Sequence, residues 1–128
     1  MKTKTVQARK QRKARYGADL HQMQKFMHVH LSKELRDKYG KRNVQLRKGD
    51  KIKILRGQFK SKEVTVEKID LKRQIVTLTG LEFVKKDGSK VNRPFKPSNL
   101  MIINLELSDK KRKAKLLKPD NKISGDKK

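Results

Sequence analysis

The sequence predicts a mostly β protein: a small barrel with a basic N-terminal arm, two short helices and a basic C-terminal extension. Three observations lead there. Alternating apolar residues are concentrated between positions 49 and 104. An Asp-Gly pair, Asp87-Gly88, sits between two β-rich runs as a hairpin signal. The flanks are crowded with lysine and arginine but poor in apolar periodicity.

The first fifteen residues carry Lys2, Lys4, Arg9, Lys10, Arg12, Lys13 and Arg15, with only Val6 and two alanines as apolar company. No core can form from that composition. Residues 1–18 are therefore expected to be a solvated tail or a basic arm that orders on a nucleic acid, where phosphates cancel its self-repulsion.

Residues 19–46 predict a short helical segment. Asp19 is placed to cap one helix, with Leu20, Met23 and Met27 at helical spacing. Ser32 is placed to cap a second over Ser32–Tyr39, and Gly40 to end it in a left-handed conformation. Neither is long enough to persist alone in water, so each must dock on something.

The barrel is expected over residues 47–107. Lys51–Ile54 and Glu63–Glu67 alternate, and Gln74–Thr79 is rich in β-branched residues. Leu81–Val84 and Val91–Arg93 flank the hairpin turn, and Leu100–Leu107 supplies a last strand. Five or six short strands joined by tight turns suit a closed barrel, which leaves no sheet edge exposed. Pro94 and Pro97 remove backbone donors and are expected to interrupt strand pairing. Ser98 and Asn99 then form a turn or reach a ligand. Beyond that, residues 108–128 predict a short basic helix over 109–117 and a disordered end.

The chain has 128 residues, with 37 Lys+Arg against 13 Asp+Glu, a formal charge of +24. Residues 1–48 hold +12, residues 49–104 hold +7 and residues 105–128 hold +5. A compact fold with that excess repels itself and calls for a polyanion. Nucleic acid fits better than an anionic membrane. The chain offers no long apolar run, no signal peptide and no basic amphipathic helix with Trp or Phe anchors. It has no cysteine, which removes disulfides and thiolate metal sites.

The segment Arg47-Lys48-Gly49-Asp50 leads through a strand into Arg56-Gly57-Gln58-Phe59-Lys60, with Lys62 just beyond. Gly57 permits positive φ or close backbone approach. Arg56 and Lys60 can reach phosphates. Phe59 can stack on an unpaired base or cover one end of the barrel, and the residues alone do not choose between these. His21, His28 and His30 have spacings unlike paired zinc ligands, so no metal or cofactor is expected. Asp50, Glu63, Glu67, Asp70, Glu82 and Asp87 stand among lysines and read as charge-balancing surface groups. No nucleophile–base set and no nucleotide-type glycine loop can be assembled, so an enzyme and a small-molecule substrate are not expected.

Lys48-Gly49-Asp50, Ile52, Ile54, Gly57, Lys60 and Val66 together resemble the KOW family of RNA-binding modules. Two positions depart from that pattern. Ser61 stands where a glycine is usual, and Val64 stands where the family's most characteristic glycine falls. A β-branched residue disfavours unusual backbone angles, so the turn is expected to become ordinary strand here. Several other stretches widen the resemblance: Arg9–Arg15, His21, Lys25-Phe26-Met27, Leu31–Arg36, Arg93-Pro94, Pro97-Ser98-Asn99 and Leu107-Ser108-Asp109. From about residue 7 to residue 113 the chain resembles the KOW-type large-subunit ribosomal protein family numbered twenty-four, in its archaeal and eukaryotic form. The short tail is closer to the archaeal form.

The resemblance implies an SH3-like barrel and a structural role in the cytoplasmic ribosome. It implies early binding to large-subunit rRNA, a place near the peptide tunnel exit and neighbouring ribosomal proteins as partners. The rRNA contacts expected are Arg9, Lys10, Arg12, Lys13 and Arg15 on the arm, and His21, Lys25, Lys33, Arg36, Lys41 and Arg42 in the helical segment. Arg47, Lys48, Arg56, Gly57, Gln58, Phe59, Lys60, Lys62, Arg93, Ser98 and Asn99 on the barrel complete the set. The alternative is a free KOW-type RNA-binding regulator or RNA chaperone. A DNA-compacting protein would need a dimer face or a groove-reading helix, for which the apolar pattern offers nothing.

Overall fold

The computed structural model describes residues 5–117; Lys2, Lys4 and the tail from residue 118 onward lie outside the described residues. In chain order the elements are α1 (Ala8–Tyr16), α2 (Leu20–Phe26), β1 (His28–Leu31), α3 (Lys33–Tyr39) and β2 (Asn43–Gln45). There follow β3 (Lys51–Ile54), β4 (Glu63–Asp70), β5 (Ile75–Val84), β6 (Lys90–Phe95), a 3-10 turn (Pro97–Asn99), β7 (Leu100–Asn104) and α4 (Lys110–Leu117). The protein is mostly sheet, as its alternating pattern predicts.

All seven strands join one sheet in the order β2-β1-β7-β3-β4-β5-β6. The pairs are antiparallel except β1–β7, which run parallel through His30–Met101 and Leu31–Ile102. The hydrogen-bonded ladder does not close on itself, so β2 and β6 are its edges. The strands are bent, however. Register shifts interrupt β3–β7, β4–β5 and β5–β6. The last spans Thr77 to Glu82 on β5, and Gly80 lies inside it at φ 71, which a side chain would strain. The expected pair of strands 74–79 and 81–84 is thus one long strand bent at its glycine.

The core follows from alternation. Ile52 and Ile54 on β3, Val29 and Leu31 on β1, and Leu100 and Ile102 on β7 all point inward. Val66, Val76, Leu78, Leu81 and Phe95 extend the same cluster, and Met27, Leu46, Leu105 and Leu116 enclose it.

Several expectations about the flanks need correction. The segment 19–46 is not purely helical, because β1 and β2 lie in it and extend the sheet. His28–Leu31 alternates like Lys51–Ile54, but it lies between the helix signals at Asp19 and Ser32. The basic arm contains a helix, α1, none of whose residues is buried. Ala, Arg, Lys and Gln favour helix intrinsically, even where no apolar stripe exists. Pro94 lies inside β6 opposite Thr77, and the β5–β6 pairing shifts register directly beside it, between Thr77–Pro94 and Glu82–Asn92, as expected of a residue without a backbone donor. It is accommodated because β6 is an edge strand. Pro97 opens the 3-10 turn, and the Asn99 carbonyl accepts from the Leu55 N–H at 2.8 Å, so Pro97–Asn99 is a structural turn.

The predicted helix caps are mixed. Ser32 accepts from the Leu35 N–H at 3.4 Å, and Gly40 ends α3 at φ 64. Asp19 precedes α2 without a side-chain cap bond.

The loop between β3 and β4 departs from expectation at Ser61. Val64 lies in ordinary strand, as a β-branched residue should. Ser61, in contrast, keeps a left-handed backbone at φ 70, and its N–H donates to the Ile54 carbonyl at 2.8 Å. The loop closure holds it in a conformation that costs an L-residue on the order of 1 kcal/mol. Ser61→Gly is therefore expected to raise stability by up to about 0.6 kcal/mol in urea denaturation, after allowance for glycine's looser unfolded state. A loss of stability would refute strain at this position.

Candidate nucleic-acid interface

The loop after β3 is organised around Phe59. Its ring meets Phe95 edge-on, with centroids 6.2 Å apart and planes at 68°. Lys62 Nζ stands 5.3 Å from the ring centroid, and Arg93 Cζ stands 5.8 Å from it. Arg93 also donates to Gln58 Oε1 at 3.4 Å. Phe59 thus packs one edge on the core and presents the rest to two cations. Arg56, Gly57, Gln58 and Lys60 are exposed around it, and Gly57 takes φ 92 as anticipated. Seven of the expected contact residues, Arg56, Gly57, Gln58, Phe59, Lys60, Lys62 and Arg93, belong to this one loop and the strand beside it.

A second group surrounds the turn before β3. Asp50 is fully buried, not a surface charge as the sequence suggested. Its Oδ1 accepts from Arg112 Nη1 at 2.6 Å and from the Glu106 N–H at 2.9 Å. Its Oδ2 accepts from Arg112 Nη2 at 2.7 Å and from the Arg47 N–H at 2.8 Å. Arg112 further donates to the Glu106 carbonyl at 2.8 Å and the Gln45 carbonyl at 3.2 Å. One bidentate pair therefore joins the β3 turn, the chain after β7 and α4.

Around that latch the surface is cationic. Arg47 pairs with Asp109, whose carboxyl is held below its usual range first by Arg47 and then by the Lys111 N–H. Asp109 Oδ1 accepts from that N–H at 2.8 Å and so caps α4. Lys48 is exposed beside it. Lys41 Nζ donates to the Lys115 carbonyl at 2.7 Å. The pKa of His28 is lowered, first by burial and then by the Lys115 charge, against a hydrogen bond with Asn43.

The remaining expected residues are spread over the helices. Arg9, Lys10, Arg12 and Lys13 are exposed on α1, His21 and Lys25 on α2, Lys33 on α3, and Arg42 just before β2. Arg36 uses its Nε to donate to the Leu31 carbonyl at 2.8 Å. Arg15 bonds Gln74 Oε1 through Nε at 2.7 Å and again through Nη2, while its guanidinium lies 5.3 Å from the Phe26 ring. Ser98 is exposed and Asn99 half-buried. Among the described residues there is no group of three His, Asp or Glu side chains that could hold a metal. No helix among them is long and apolar enough to cross a membrane.

Sequence reasoning missed Arg112 altogether. Its signal was weak but present: Arg112 and Leu116 are four residues apart, on one face of the helix that Asp109 caps.

Residues 5–118 match the family model that describes the eukaryotic L26 ribosomal proteins together with their archaeal counterparts of the L24 type. The chain belongs to this ribosomal-protein family. The match covers the interval in which the sequence motifs fall in order. Among its relatives are proteins named "Large ribosomal subunit protein uL24" from three archaea. That of Methanothrix thermoacetophila is 49% identical over 106 residues, covering 83% of this chain and 91% of the relative. That of Methanosarcina barkeri is 44% identical over 112 residues, covering 88% and 97%. That of Methanosphaera stadtmanae is 44% identical over 106 residues, covering 83% and 91%.

Proposed function

We propose that this chain is a structural constituent of the large ribosomal subunit in the cytoplasm and that it binds large-subunit rRNA. Family membership over residues 5–118 carries the reading. The charge distribution supports it. Asp50–Arg112 is the buried pair, and the cations of the expected set lie exposed or half-buried around the sheet. Such a surface suits recognition of phosphates and RNA shape, with a small number of stacked bases. Phe59, with Arg93 and Lys62 at its ring, is the stacking candidate of the β3–β4 loop. Early entry into assembly, a place near the tunnel exit and protein neighbours there are what the resemblance adds. No catalytic role is proposed.

The finer fold reading is that residues 47–107 form an SH3-like barrel of KOW type, bearing the arm before it and α4 after it. The three register shifts and the single core cluster support a sheet curled around its own interior.

The test is sedimentation of a lysate containing the tagged chain in moderate salt. The chain should travel with large subunits. A pool that stays at the top of the gradient, bound to no subunit, would favour a free RNA-binding regulator or RNA chaperone and overturn the ribosomal reading.

A further inference from the structure

Between α1, the β4–β5 turn and the 3-10 turn lies an open groove of 560 Å³. Its rim carries Arg12, Arg15, Lys72, Arg73 and Lys96, and its wall includes Tyr16. Three chain segments far apart in sequence bring these side chains together, so no local pattern announces the groove.

The groove has a fixed wall and a cationic rim. Arg15 spends its guanidinium on Gln74 and on the face of Phe26, which fastens α1 to the turn. Gln74 is buried and takes a left-handed backbone at φ 54, an unfavourable state for its residue type that places its amide against Arg15. Arg12, Lys72 and Lys96 have no ion pair among the described residues. Arg73 is 80% exposed, with Asp70 at 3.9 Å as its carboxylate neighbour.

Tyr16 gives the groove its second chemistry. It is 82% exposed, the most exposed aromatic among the described residues, ahead of Phe83 at 42%. Packing does not account for its position. The residue after it is glycine, so nothing beyond the backbone follows the ring on that side. An aromatic face among four exposed cations suits an unpaired nucleotide, with the base on the ring and phosphates on the rim. An acidic peptide would use the cations but not the ring.

We propose that this groove binds a single-stranded stretch of RNA, with one base stacked on Tyr16 and the backbone held by Arg12, Lys72, Arg73 and Lys96. The proposal rests on the rRNA-binding reading and names a site separate from the Phe59 loop. It makes α1 one wall of a nucleotide site, positioned by Arg15.

The chain has two tyrosines and no tryptophan, so in a Tyr39→Phe background Tyr16 is the only strong emitter. The probes are a uridine octamer, an abasic ribose-phosphate octamer and a short RNA duplex. The uridine octamer should quench Tyr16 emission in step with binding, and the abasic octamer should bind without quenching. Tyr16→Leu should weaken the uridine octamer about tenfold, leaving the slope of log affinity against log salt unchanged. Lys72→Ala and Arg73→Ala should each reduce that slope by about 0.7. Binding of the octamer with no quench and no effect of Tyr16→Leu would overturn the groove while leaving the rRNA reading intact. Displacement of the octamer by polyglutamate of equal charge and concentration would overturn it as well, since charge alone would then suffice. If neither octamer nor duplex binds the unaltered chain, the rRNA reading itself fails.

Discussion

Replacing Asp50 with alanine is expected to cost the fold about 3–5 kcal/mol, because it leaves the buried Arg112 guanidinium without its counter-charge. The carboxylate accepts four hydrogen bonds, two from Arg112 and one each from the Arg47 and Glu106 backbones. Its loss would strip the clamp from three segments at once. A small domain has on the order of 5–15 kcal/mol in total, so this variant should stand near the edge of folding. Asp50→Asn keeps one acceptor oxygen and offers a milder form. Urea denaturation of Asp50→Leu, Arg112→Met and the pair Asp50→Leu/Arg112→Met would apportion the effect. The paired replacement should be less harmful than the sum of its single changes, since it orphans neither charge. A loss below about 1 kcal/mol for Asp50→Ala would show that the latch contributes little. The cost should also appear as release of α4, whose buried contacts are Arg112 and Leu116.

The affinity for RNA should collapse with salt. If about ten phosphates are neutralised, log affinity falls against log salt with a slope of about −7 to −9. Between 50 and 200 mM salt, affinity would then drop by a factor on the order of 10⁴–10⁵. The cause is counterion release, which the +24 charge makes the leading contribution. Filter binding of an rRNA fragment across that range measures it. Replacing both Arg56 and Lys60 with alanine should make the slope shallower by about 1.4 to 1.8, since both are exposed at the loop edge. A slope near zero in the unaltered chain would refute an electrostatic basis for binding. An unchanged slope in the double variant would remove the β3–β4 loop from the contact surface.

Elements whose residues speak to near neighbours were legible from the chain. Lys51–Ile54 alternates and forms β3, with Ile52 and Ile54 inside. Asp87-Gly88 turns a hairpin closed by the Lys85 N–H to the Ser89 carbonyl at 2.9 Å. Ser32 and Gly40 bracket α3. Of the loop's cations Lys62 reaches the Phe59 ring, where Arg93 joins it from β6, while Arg56 and Lys60 are exposed nearby. Strands β1 and β2 escaped because they lie among helix signals at Asp19, Ser32 and Gly40, and β1 gains its place by pairing with β7 some seventy positions away. Helix α1 escaped because it buries nothing and is held through Arg15.

Charge, alternation and turn chemistry, all local properties, determined the mostly β build, the polyanionic partner and the family resemblance. Long-range packing alone decided that Asp50 is a buried anchor rather than a surface charge. It did so by delivering Arg112 from 62 residues away. It also decided that Arg12, Tyr16, Lys72 and Lys96 share one groove. The physical reason is the same in both cases. Periodicity reports which face of an element a residue occupies, whereas a partner across the fold depends on how all the strands bend and pair at once.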